Sequence, residues 1–340
     1  MSETNKSSLG APGLIGIALG AVTAVALGAA KGVAVNDRRR TGVSKSQARR
    51  LPVEPGGTKH QKVRMVDGGS INVLTSGLDV GKAPTVVLLH GVTLTSRVWF
   101  RAMADLGTDH HVVAIDWRGH GLSVAGSDGF GLDVLARDLA SVLEQLDVRN
   151  CVVVGHSMGG MALMQLCADQ RAVVQERVKG LMFLSTAAGE VGLATIPSAL
   201  RGAVRGVLSQ RPLAKRASWT LPGDAGYSMV RVTFGEKPDP TWVEEARDIV
   251  GEMDPEATAA SFVPLLSHDA AKAFVGLTVP VTVVVGTKDR LTPPAQARRI
   301  VGLIKQAKLV VLDGPGHMVM LERQTEFVEL VRALTGVASG

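Results

Sequence analysis

The sequence has few cysteines and shows no pattern of a metal site or of an internal repeat. Its 340 residues include only two cysteines, Cys151 and Cys167, so a fold held together by several disulfide bonds is excluded. Both lie in apolar stretches, and we expect both to be buried thiols. No group of cysteines and histidines has the spacing of a zinc site. The 46% hydrophobic content is instead typical of a protein with an ordinary packed core.

The larger part of the chain also lacks net charge. The whole sequence carries a formal charge of +6, but residues 1–65 hold 11 basic and 3 acidic residues, which leaves 26 of the 37 basic and 28 of the 31 acidic residues for the remainder. A body with a net charge of −2 presents no strongly basic surface, so we expect no nucleic-acid partner. The basic character belongs to the amino-terminal tail.

The amino-terminal tail combines an uncharged run with a basic flank. Residues 9–30 contain no charged side chain and are long enough to cross a bilayer as a helix. Seven lysines and arginines follow between Lys31 and Arg50, whereas only Lys6 precedes the run. Positive charge behind a spanning segment favours a cytoplasmic location for the domain on its carboxyl side. The sequence therefore predicts a membrane anchor within residues 1–35, with the catalytic domain on the cytoplasmic side.

Two alternatives to the anchor stay open for this tail. A signal peptide cleaved during secretion would carry its positive charge in front of the apolar run rather than behind it. A soluble tail rich in glycine and alanine would need no membrane at all. Residues 36–60 are interpreted as a basic linker containing proline and glycine, which could also lie on anionic lipid head groups.

From residue 61 onwards, short apolar runs alternate with helical patterns. Residues 63–66 and 71–75 flank Asp-Gly-Gly-Ser, which is a hairpin signal. Further buried strands are predicted at 85–89, 111–115, 151–154, 180–184, 281–285 and 309–312, with helices at 98–106, 132–146, 295–303 and 327–334. Strands that alternate with helices are typical of an α/β protein with a doubly wound, mostly parallel sheet.

One interval does not follow this alternation. Residues from about 187 to 277 are rich in alanine, arginine, proline and glycine, and about ninety residues is too long for a connection inside a compact domain. We interpret the interval as an inserted helical cap above the carboxyl ends of the strands, where ligands bind in such sheets. The predicted organisation is a hydrophobic amino-terminal segment at 1–35, the linker at 36–60 and one domain at 61–340 that contains the cap.

The strongest chemical signal lies between residues 151 and 166. A short apolar strand pattern is followed by Gly-His-Ser-Met-Gly-Gly at 155–160 and then by residues that favour helix. A strand that turns directly into a helix must bend sharply at Ser157, and glycines on both sides supply the space for that bend. The helix amino terminus would favour negative charge developing beside the serine hydroxyl. Ser157 is therefore the candidate nucleophile.

A serine nucleophile needs a base, and the base needs a carboxylate that orients it. Among the eight histidines, His317 follows the last predicted strand, at the edge of the sheet where Ser157 is also expected. Asp289 follows the preceding strand at the same edge, although it could instead cap the next helix. Asp313 is a second nearby acid, which we expect to shape the turn before His317. The order Ser157, Asp289, His317 fits one known arrangement of a catalytic triad.

Together these residues resemble the α/β-hydrolase family over about residues 62–336. The resemblance rests on His-Gly at 90–91, the loop at 116–123, the motif at 155–160, Asp289 and Gly-His at 316–317. It implies an oxyanion hole formed by the backbone N–H groups of Val92 and Met158. Relatives that open epoxides or cleave carbon–halogen bonds carry aspartate at the motif position held by Ser157, so the resemblance disfavours those reactions.

The sequence therefore predicts a serine esterase or lipase-like hydrolase that needs no cofactor and no metal. Ser157 would attack the carbonyl of an acyl or lipid-like ester, His317 would move the proton, and Asp289 would orient the imidazole. The same triad serves amidases, thioesterases, lactonases, C–C hydrolases, acyltransferases and cofactor-free perhydrolases of the haloperoxidase type, and a ligand receptor can be built on this fold. The expected partners are a small-molecule substrate and, through the tail, a membrane; the oligomeric state stays open.

Overall fold

The computed structural model describes residues 33–44, 52–189, 224–271 and 273–339. These residues contain the strands β1 (Lys59–Arg64), β2 (Ser70–Gly77), β3 (Thr85–Leu89), β4 (His111–Ile115), β5 (Cys151–His156), β6 (Val178–Leu184), β7 (Val281–Gly286) and β8 (Lys308–Leu312). The strands form one sheet in the order β1-β2-β4-β3-β5-β6-β7-β8. β2 pairs antiparallel with β1 and β4, and the other neighbouring strands are parallel.

The central strands form because they are apolar on both faces. β3, β4 and β5 are buried along their whole length and consist mainly of valine, leucine and other apolar residues. Such strands belong in a parallel sheet whose two faces are both covered by helices. The predicted α/β fold with a doubly wound, mostly parallel sheet is confirmed. The predicted hairpin corresponds to the antiparallel pair β1 and β2.

Helices cover the two faces of the sheet. Within the described residues, the α-helices that follow β1 are α1 (Phe100–Leu106), α2 (Leu132–Gln145), α3 (Met158–Asp169), α4 (Arg171–Arg177), α5 (Asp224–Arg231), α6 (Pro240–Gly251), α7 (Pro255–Leu265), α8 (Pro294–Leu303), α9 (Val319–Glu322) and α10 (Gln324–Ser339). One hydrophobic cluster joins α2, α3 and α8 to one face of the sheet, and a second joins α1, α10, α5 and α6 to the other face. Alternate residues of each central strand therefore belong to different clusters.

Three helices fall within the interval predicted to form a cap, and we refer to α5, α6 and α7 as the cap helices. Both α6 and α7 begin at an Asp-Pro pair. The side chain of Asp239 accepts a hydrogen bond from the N–H of Thr241, and that of Asp254 accepts one from Ala257. These bonds satisfy amide groups at the two helix starts. Residues 190–223 of the predicted cap lie outside the described residues.

Residues 33–41, which precede the sheet, are helical. This helix lies against the cap helices. Arg38 forms ion pairs with Asp224 and Glu244, and Arg40 donates a hydrogen bond to the carbonyl of Pro238 at 2.7 Å. Two arginines of the basic linker, which the sequence would also allow to lie on lipid head groups, therefore bind groups of the protein itself.

The predicted membrane anchor has to be corrected. Within the residues that the structure describes, no helix is both long enough and apolar enough to span a bilayer. The predicted spanning run, residues 9–30, lies outside those residues. The expectation depended on the length of that run and on its basic flank, and part of the flank is bound to the cap helices. The predicted location at a membrane, with the catalytic domain on the cytoplasmic side, has no support in the described residues.

Candidate active site

Ser157 occupies a sharp turn between β5 and α3. Its backbone angles are φ 52° and ψ −119°, in a region that residues other than glycine rarely adopt and that costs on the order of 1–3 kcal/mol. The turn is held from two sides: the Ser157 N–H donates to the carbonyl of Leu184 at 3.0 Å, and the Thr186 hydroxyl donates to the Ser157 carbonyl at 2.7 Å. The surrounding structure therefore maintains a strained conformation at the candidate nucleophile.

The turn needs glycine on both sides because neighbouring backbone comes very close. A Cβ atom on Gly155 would lie 2.6 Å from the Cα of Gly160, and one on Gly159 would lie 2.5 Å from the carbonyl oxygen of Leu89 at the end of β3. Real Cβ atoms do not make contacts this short. The missing Cβ atoms allow the amino terminus of α3, with Ser157 before it, to lie against the end of β3.

The loop after β3 lies directly beside Ser157. A Cβ atom on Gly91 would lie 3.0 Å from the Cβ of Ser157, and the next residue, Val92, lines the same cavity as Ser157. Met158 is the first residue of α3 and is buried, so its N–H belongs to the helix amino terminus. The structure thus brings both residues predicted to form an oxyanion hole next to the candidate nucleophile.

Thr93, in the same loop, is strained as well. Its φ of 64° lies in the left-handed region, which is unusual for a β-branched residue. Thr93 also lines the cavity that contains Ser157. Conformations of this kind cluster at functional sites, where the backbone has to be oriented against its own preference. The sequence pattern does not single out Thr93, because a turn after a strand carries no sign that it is strained.

Asp289 and His317 form a hydrogen-bonded pair at the carboxyl ends of β7 and β8. Nδ1 of His317 donates to Oδ2 of Asp289 at 2.9 Å. The buried carboxylate accepts three further hydrogen bonds, from the N–H groups of Leu291 and Thr292, both at 2.9 Å, and from the Thr292 hydroxyl at 2.8 Å. Because parallel strands end at one edge of the sheet, two residues 28 positions apart meet in this way.

The charge state of Asp289 follows from these contacts. Burial is the largest single influence and acts to raise its pKa, whereas the neighbouring His317 and the hydrogen bonds from His317 and Thr292 act in the opposite direction. Together the contacts lower the pKa of Asp289 below the usual value of an aspartate. The carboxylate is therefore ionised at neutral pH and can orient the imidazole of His317.

The loop that carries His317 is fixed by residues far away in the sequence. The His317 N–H donates to the carbonyl of Thr233 at 2.6 Å. The carbonyl of His317 accepts a hydrogen bond from Nε2 of His156 at 3.0 Å. Burial, followed by the nearby His317, lowers the pKa of His156 to about 3, so His156 is a neutral donor at neutral pH. The position of the candidate base thus depends on the strand before Ser157 and on the segment after α5.

Sequence reasoning missed residues that support this pair. Glu322 on α9 accepts hydrogen bonds from the N–H groups of Gly235 and Gly316, both at 2.8 Å, and so joins the segment after α5 to the loop before His317. Thr292 holds the Asp289 carboxylate. Neither residue has a distinctive pattern around it, because each acts through contacts that exist only in the fold. The sequence offers one local sign of the contact between Thr292 and Asp289, a threonine three residues after an aspartate at the end of a strand.

Ser157 and His317 line one cavity of about 240 Å³. Most of its wall is apolar, and the cap helices contribute part of that wall. Apolar residues of the wall include Val92, Leu94, Val230, Val250, Phe262 and Leu291. A concave apolar wall with a few polar groups at one end is typical of a binding site for a small molecule.

His90, from the His-Gly motif, and Asp313, the second acid near His317, occupy structural positions. His90 accepts a hydrogen bond from the N–H of Trp117 at 3.0 Å and donates one to the carbonyl of Gly91 at 2.7 Å, so both of its ring nitrogens are engaged. Asp313 accepts a hydrogen bond from the Thr287 hydroxyl at 3.1 Å. That contact holds the turn after β8, and this is the role expected for Asp313.

Comparison with known proteins identifies the family of this fold. The model of the α/β hydrolase fold family matches residues 84–324, which is more than half of the chain. The AB hydrolase superfamily protein YisY of Bacillus subtilis (strain 168) is 25% identical over 255 residues, and the match covers 74% of this chain and 92% of that protein. The non-heme chloroperoxidase CPO-A1 of Kitasatospora aureofaciens is 28% identical over 254 residues, with 70% of this chain and 86% of that protein covered.

A solved structure of similar fold supports the same family assignment. The esterase RhEst1 from Rhodococcus sp. ECU1013 is 25% identical and superimposes with a TM-score of 0.65, and the match covers 82% of this chain and 98% of that chain. Ser157, Asp289 and His317 all fall inside the interval matched by the family model. The chain belongs to the α/β-hydrolase fold family.

Proposed function

We propose that the protein is a serine hydrolase that cleaves carboxylic esters. One observation supports this proposal most directly: Ser157, in a strained turn, lines the same cavity as His317, whose Nδ1 is bound to the buried carboxylate of Asp289. A hydroxyl, an imidazole and a carboxylate in this order are the groups that carry out acyl transfer in serine hydrolases. Each of the three has a task that follows from its surroundings.

The first half of the proposed reaction acylates Ser157. Because the Nδ1–H of His317 donates a hydrogen bond to Asp289, the lone pair on Nε2 is available to accept the proton of the Ser157 hydroxyl as its oxygen attacks the ester carbonyl. The backbone N–H groups of Val92 and Met158 would donate hydrogen bonds to the resulting oxyanion. One such donor typically stabilises the transition state by about 3–4 kcal/mol. The imidazolium then gives its proton to the alcohol oxygen, the C–O bond breaks, and an acyl-enzyme remains.

The second half of the proposed reaction releases the acid. His317 accepts a proton from a water molecule while the water oxygen attacks the acyl carbonyl. The same two N–H donors would bind the oxyanion again. When the tetrahedral intermediate collapses, the proton on His317 returns to the Ser157 oxygen, so the carboxylic acid leaves and the enzyme is regenerated. Asp289 stays ionised throughout and stabilises the charged imidazole.

The proposed substrate is an ester with an apolar acyl group. Aliphatic side chains such as Leu94, Val230 and Val250 form the wall around Ser157 and His317, and burying apolar surface against them is favourable. The name of the similar RhEst1, an esterase, supports ester hydrolysis over the other reactions that the triad serves.

Steady-state hydrolysis of p-nitrophenyl esters tests this proposal. The full-length protein should turn over such esters repeatedly, and Ser157→Ala should lose that activity by several orders of magnitude while its circular dichroism and melting temperature stay close to those of the parent. Arg137→Met, a change at an exposed ion pair away from the cavity, serves as the matched control and should keep full activity. A single stoichiometric turnover, or equal activity in Ser157→Ala, would contradict a hydrolase with this nucleophile.

The similarity to the non-heme chloroperoxidase CPO-A1 supports a second reaction for the same triad. If hydrogen peroxide replaces water in the second half of the reaction, its oxygen attacks the acyl carbonyl while His317 accepts its proton. The bond between the acyl carbon and the Ser157 oxygen then breaks, the proton on His317 passes to that oxygen, and a peracid leaves. The peracid would then oxidise halide outside the protein. Bromination of a dye in the presence of an acetate ester, hydrogen peroxide and bromide, dependent on Ser157, would support this reaction, whereas its absence alongside ester turnover would leave hydrolysis alone.

A further inference from the structure

The helix at residues 33–41, which we call the strap helix, is bound to α5 through Asp37. The Asp37 carboxylate accepts a hydrogen bond from Nε of Arg231 at 2.8 Å and one from the hydroxyl of Tyr227 at 3.2 Å. Ala34, one turn earlier, is fully buried within the cluster that contains Tyr227. The strap helix therefore contacts α5 through both polar and apolar groups.

Arg38 extends this contact to α6. Its guanidinium donates to Asp224 on α5 at 3.1 Å and to Glu244 on α6 at 2.9 Å, and it lies 5.2 Å from the centre of the Tyr227 ring. One side chain from the strap helix thus joins the two cap helices to each other. Cation–π contact with the ring adds to the two ion pairs.

These charged groups are largely removed from water. The side chains of Asp37 and Glu244 are 7% and 2% exposed, and that of Arg38 is 12% exposed. Removing one partner of a buried ion pair leaves an uncompensated charge and is strongly unfavourable. The contacts therefore restrict the relative position of the strap helix, α5 and α6 much more than exposed ion pairs would.

The same two cap helices form part of the cavity wall. Met229 and Val230 of α5, and Ala246 and Val250 of α6, line the cavity that contains Ser157. Each helix therefore contacts the strap helix with one set of side chains and the cavity with another. A shift of either helix would change the width of the cavity directly.

A second connection leads from the strap helix to the candidate base. Arg231, which binds Asp37, also donates to the carbonyl of Gly235 at 2.7 Å. The carbonyl of Thr233, two residues earlier, accepts the hydrogen bond from the N–H of His317. The strap helix thus holds the segment on which His317 depends as well as the wall of the cavity.

The strap helix precedes the interval that the family model matches. The family model begins at residue 84, and the match to RhEst1 covers 98% of that chain but 82% of this one. The family model is therefore matched without the contacts of Asp37 and Arg38.

We propose that Asp37 and Arg38 are specificity-determining residues that, by fixing α5 and α6, set the width of the cavity and so the acyl group that it accepts. They act through the cap helices and do not touch the reacting atoms. The inference rests on the proposed ester hydrolysis, because it concerns the same cavity.

The expected effect follows from apolar contact in the cavity. When Arg38 loses its charge, Arg247 is the one partner that Glu244 keeps among the described residues, and α5 and α6 are no longer joined by a common guanidinium. A longer acyl chain would then lose contact with the wall, and each methylene that loses its contact weakens binding about fourfold. A short acyl chain, which reaches less of the wall, would lose less.

Chain-length selectivity of the full-length protein tests the proposal. Arg38→Met keeps most of the stem and removes the charge, Arg38→Lys keeps the charge, and Arg137→Met removes an exposed pair far from the cavity. The ratio of kcat/KM for p-nitrophenyl octanoate to that for the acetate should fall by about tenfold in Arg38→Met, mainly through KM. Arg38→Lys should recover part of the ratio, and Arg137→Met should keep the parent ratio. An equal fall for both esters would show a purely structural role and would overturn the proposal.

Hydrogen–deuterium exchange provides a readout that does not depend on ester hydrolysis. In Arg38→Met the amides of α5 and α6 should exchange at least several-fold faster than in the parent, while those of α2 should not change. If the parent hydrolyses no ester, the proposed function fails. Hydrogen–deuterium exchange then still tests whether Arg38 fixes α5 and α6 to the strap helix. If Arg38→Met does not accumulate as folded protein, Asp37→Asn takes its place in both measurements. Unchanged exchange in α5 and α6, together with an unchanged ester ratio, would overturn the proposal.

Discussion

The hydroxyl of Thr292 donates a hydrogen bond at 2.8 Å to Oδ2 of Asp289, the same carboxylate oxygen that accepts the Nδ1–H of His317. The hydroxyl also lies 3.2 Å from Nδ1 itself. Thr292 is buried, 1% exposed, so water does not replace these contacts. The orientation of the candidate base therefore depends on a side chain that takes no part in the proposed chemistry.

Thr292→Val should lower kcat for ester hydrolysis by about tenfold with little change in KM. The substitution keeps the shape of the side chain but removes the donor to the Asp289 carboxylate, and a hydrogen bond to a charged group contributes about 1.5–3 kcal/mol. Thr292→Ser restores the hydroxyl and should restore most of the rate. Steady-state kinetics on one ester checks this expectation, and equal rates for the valine and serine variants would contradict it.

Asp289→Asn should lower kcat by about three to four orders of magnitude, because the amide would favour the wrong tautomer of His317 and would not stabilise its charged form. Asp313→Asn is the matched control, since this residue contacts Thr287 in the neighbouring loop. The control should change kcat less than about threefold. Kinetics on the two purified variants decides the matter, and reversed effects would assign the acid to Asp313 instead.

The free energy of unfolding should depend on pH through Glu245. Its side chain on α6 is 1% exposed and accepts a hydrogen bond from Nε of Arg101 at 3.1 Å. Burial raises the pKa of Glu245 to about 7, although Arg101 acts to lower it. Because this pKa is higher in the folded protein than in the unfolded chain, the folded state loses stability as the pH rises from about 4 to 7.

Glu245→Gln cannot ionise and should escape this loss. Relative to the parent, the variant should gain up to about 3 kcal/mol in the free energy of unfolding between pH 5 and pH 8. Urea unfolding of both proteins at the two pH values measures the change, and each protein at pH 5 is its own reference. If the difference in the free energy of unfolding between parent and variant is the same at both pH values, or changes in the opposite direction, the pKa of Glu245 is not raised in the folded protein.

Gly159→Ala should destabilise the protein by about 1–3 kcal/mol or prevent its folding, because the added Cβ would lie 2.5 Å from the carbonyl oxygen of Leu89. Gly302, within α8, has no atom within 4 Å of the position of an added Cβ. Gly302→Ala should therefore stabilise the protein by about 0.5–1 kcal/mol. Urea unfolding distinguishes the two variants, and a neutral Gly159→Ala would show that the turn at Ser157 has room for a side chain.

The turn at Ser157 could be predicted because its causes are local in the sequence. The apolar run of β5, the glycines around Ser157 and the helix-forming residues after it lie within about fifteen positions, and each corresponds to a physical requirement of the turn. Asp289 and His317 could be placed at the same edge for a general reason. Parallel strands bring the residues at their carboxyl ends to one edge of the sheet, whatever their separation in the chain.

The supporting residues could not be predicted, because their contacts are formed only in the fold. Glu322 joins two backbone segments, and Arg38 binds Glu244 across 206 positions of sequence. A sequence shows how many charged residues a segment has but not which partners they find. For this reason the charge pattern alone indicates a membrane flank near residue 38, whereas in the structure Arg38 forms ion pairs with Asp224 and with the buried Glu244.

Covalent labelling tests the central claim, that Ser157 is the nucleophile. The full-length protein is treated with a fluorophosphonate probe, and the adduct is located by mass spectrometry of the intact protein and of its peptides. One adduct per chain is expected, on the peptide that contains Ser157. It should be lost in Ser157→Ala and should form much more slowly in Asp289→Asn. An adduct on another residue, or undiminished labelling of Ser157→Ala, would contradict the assignment of the nucleophile.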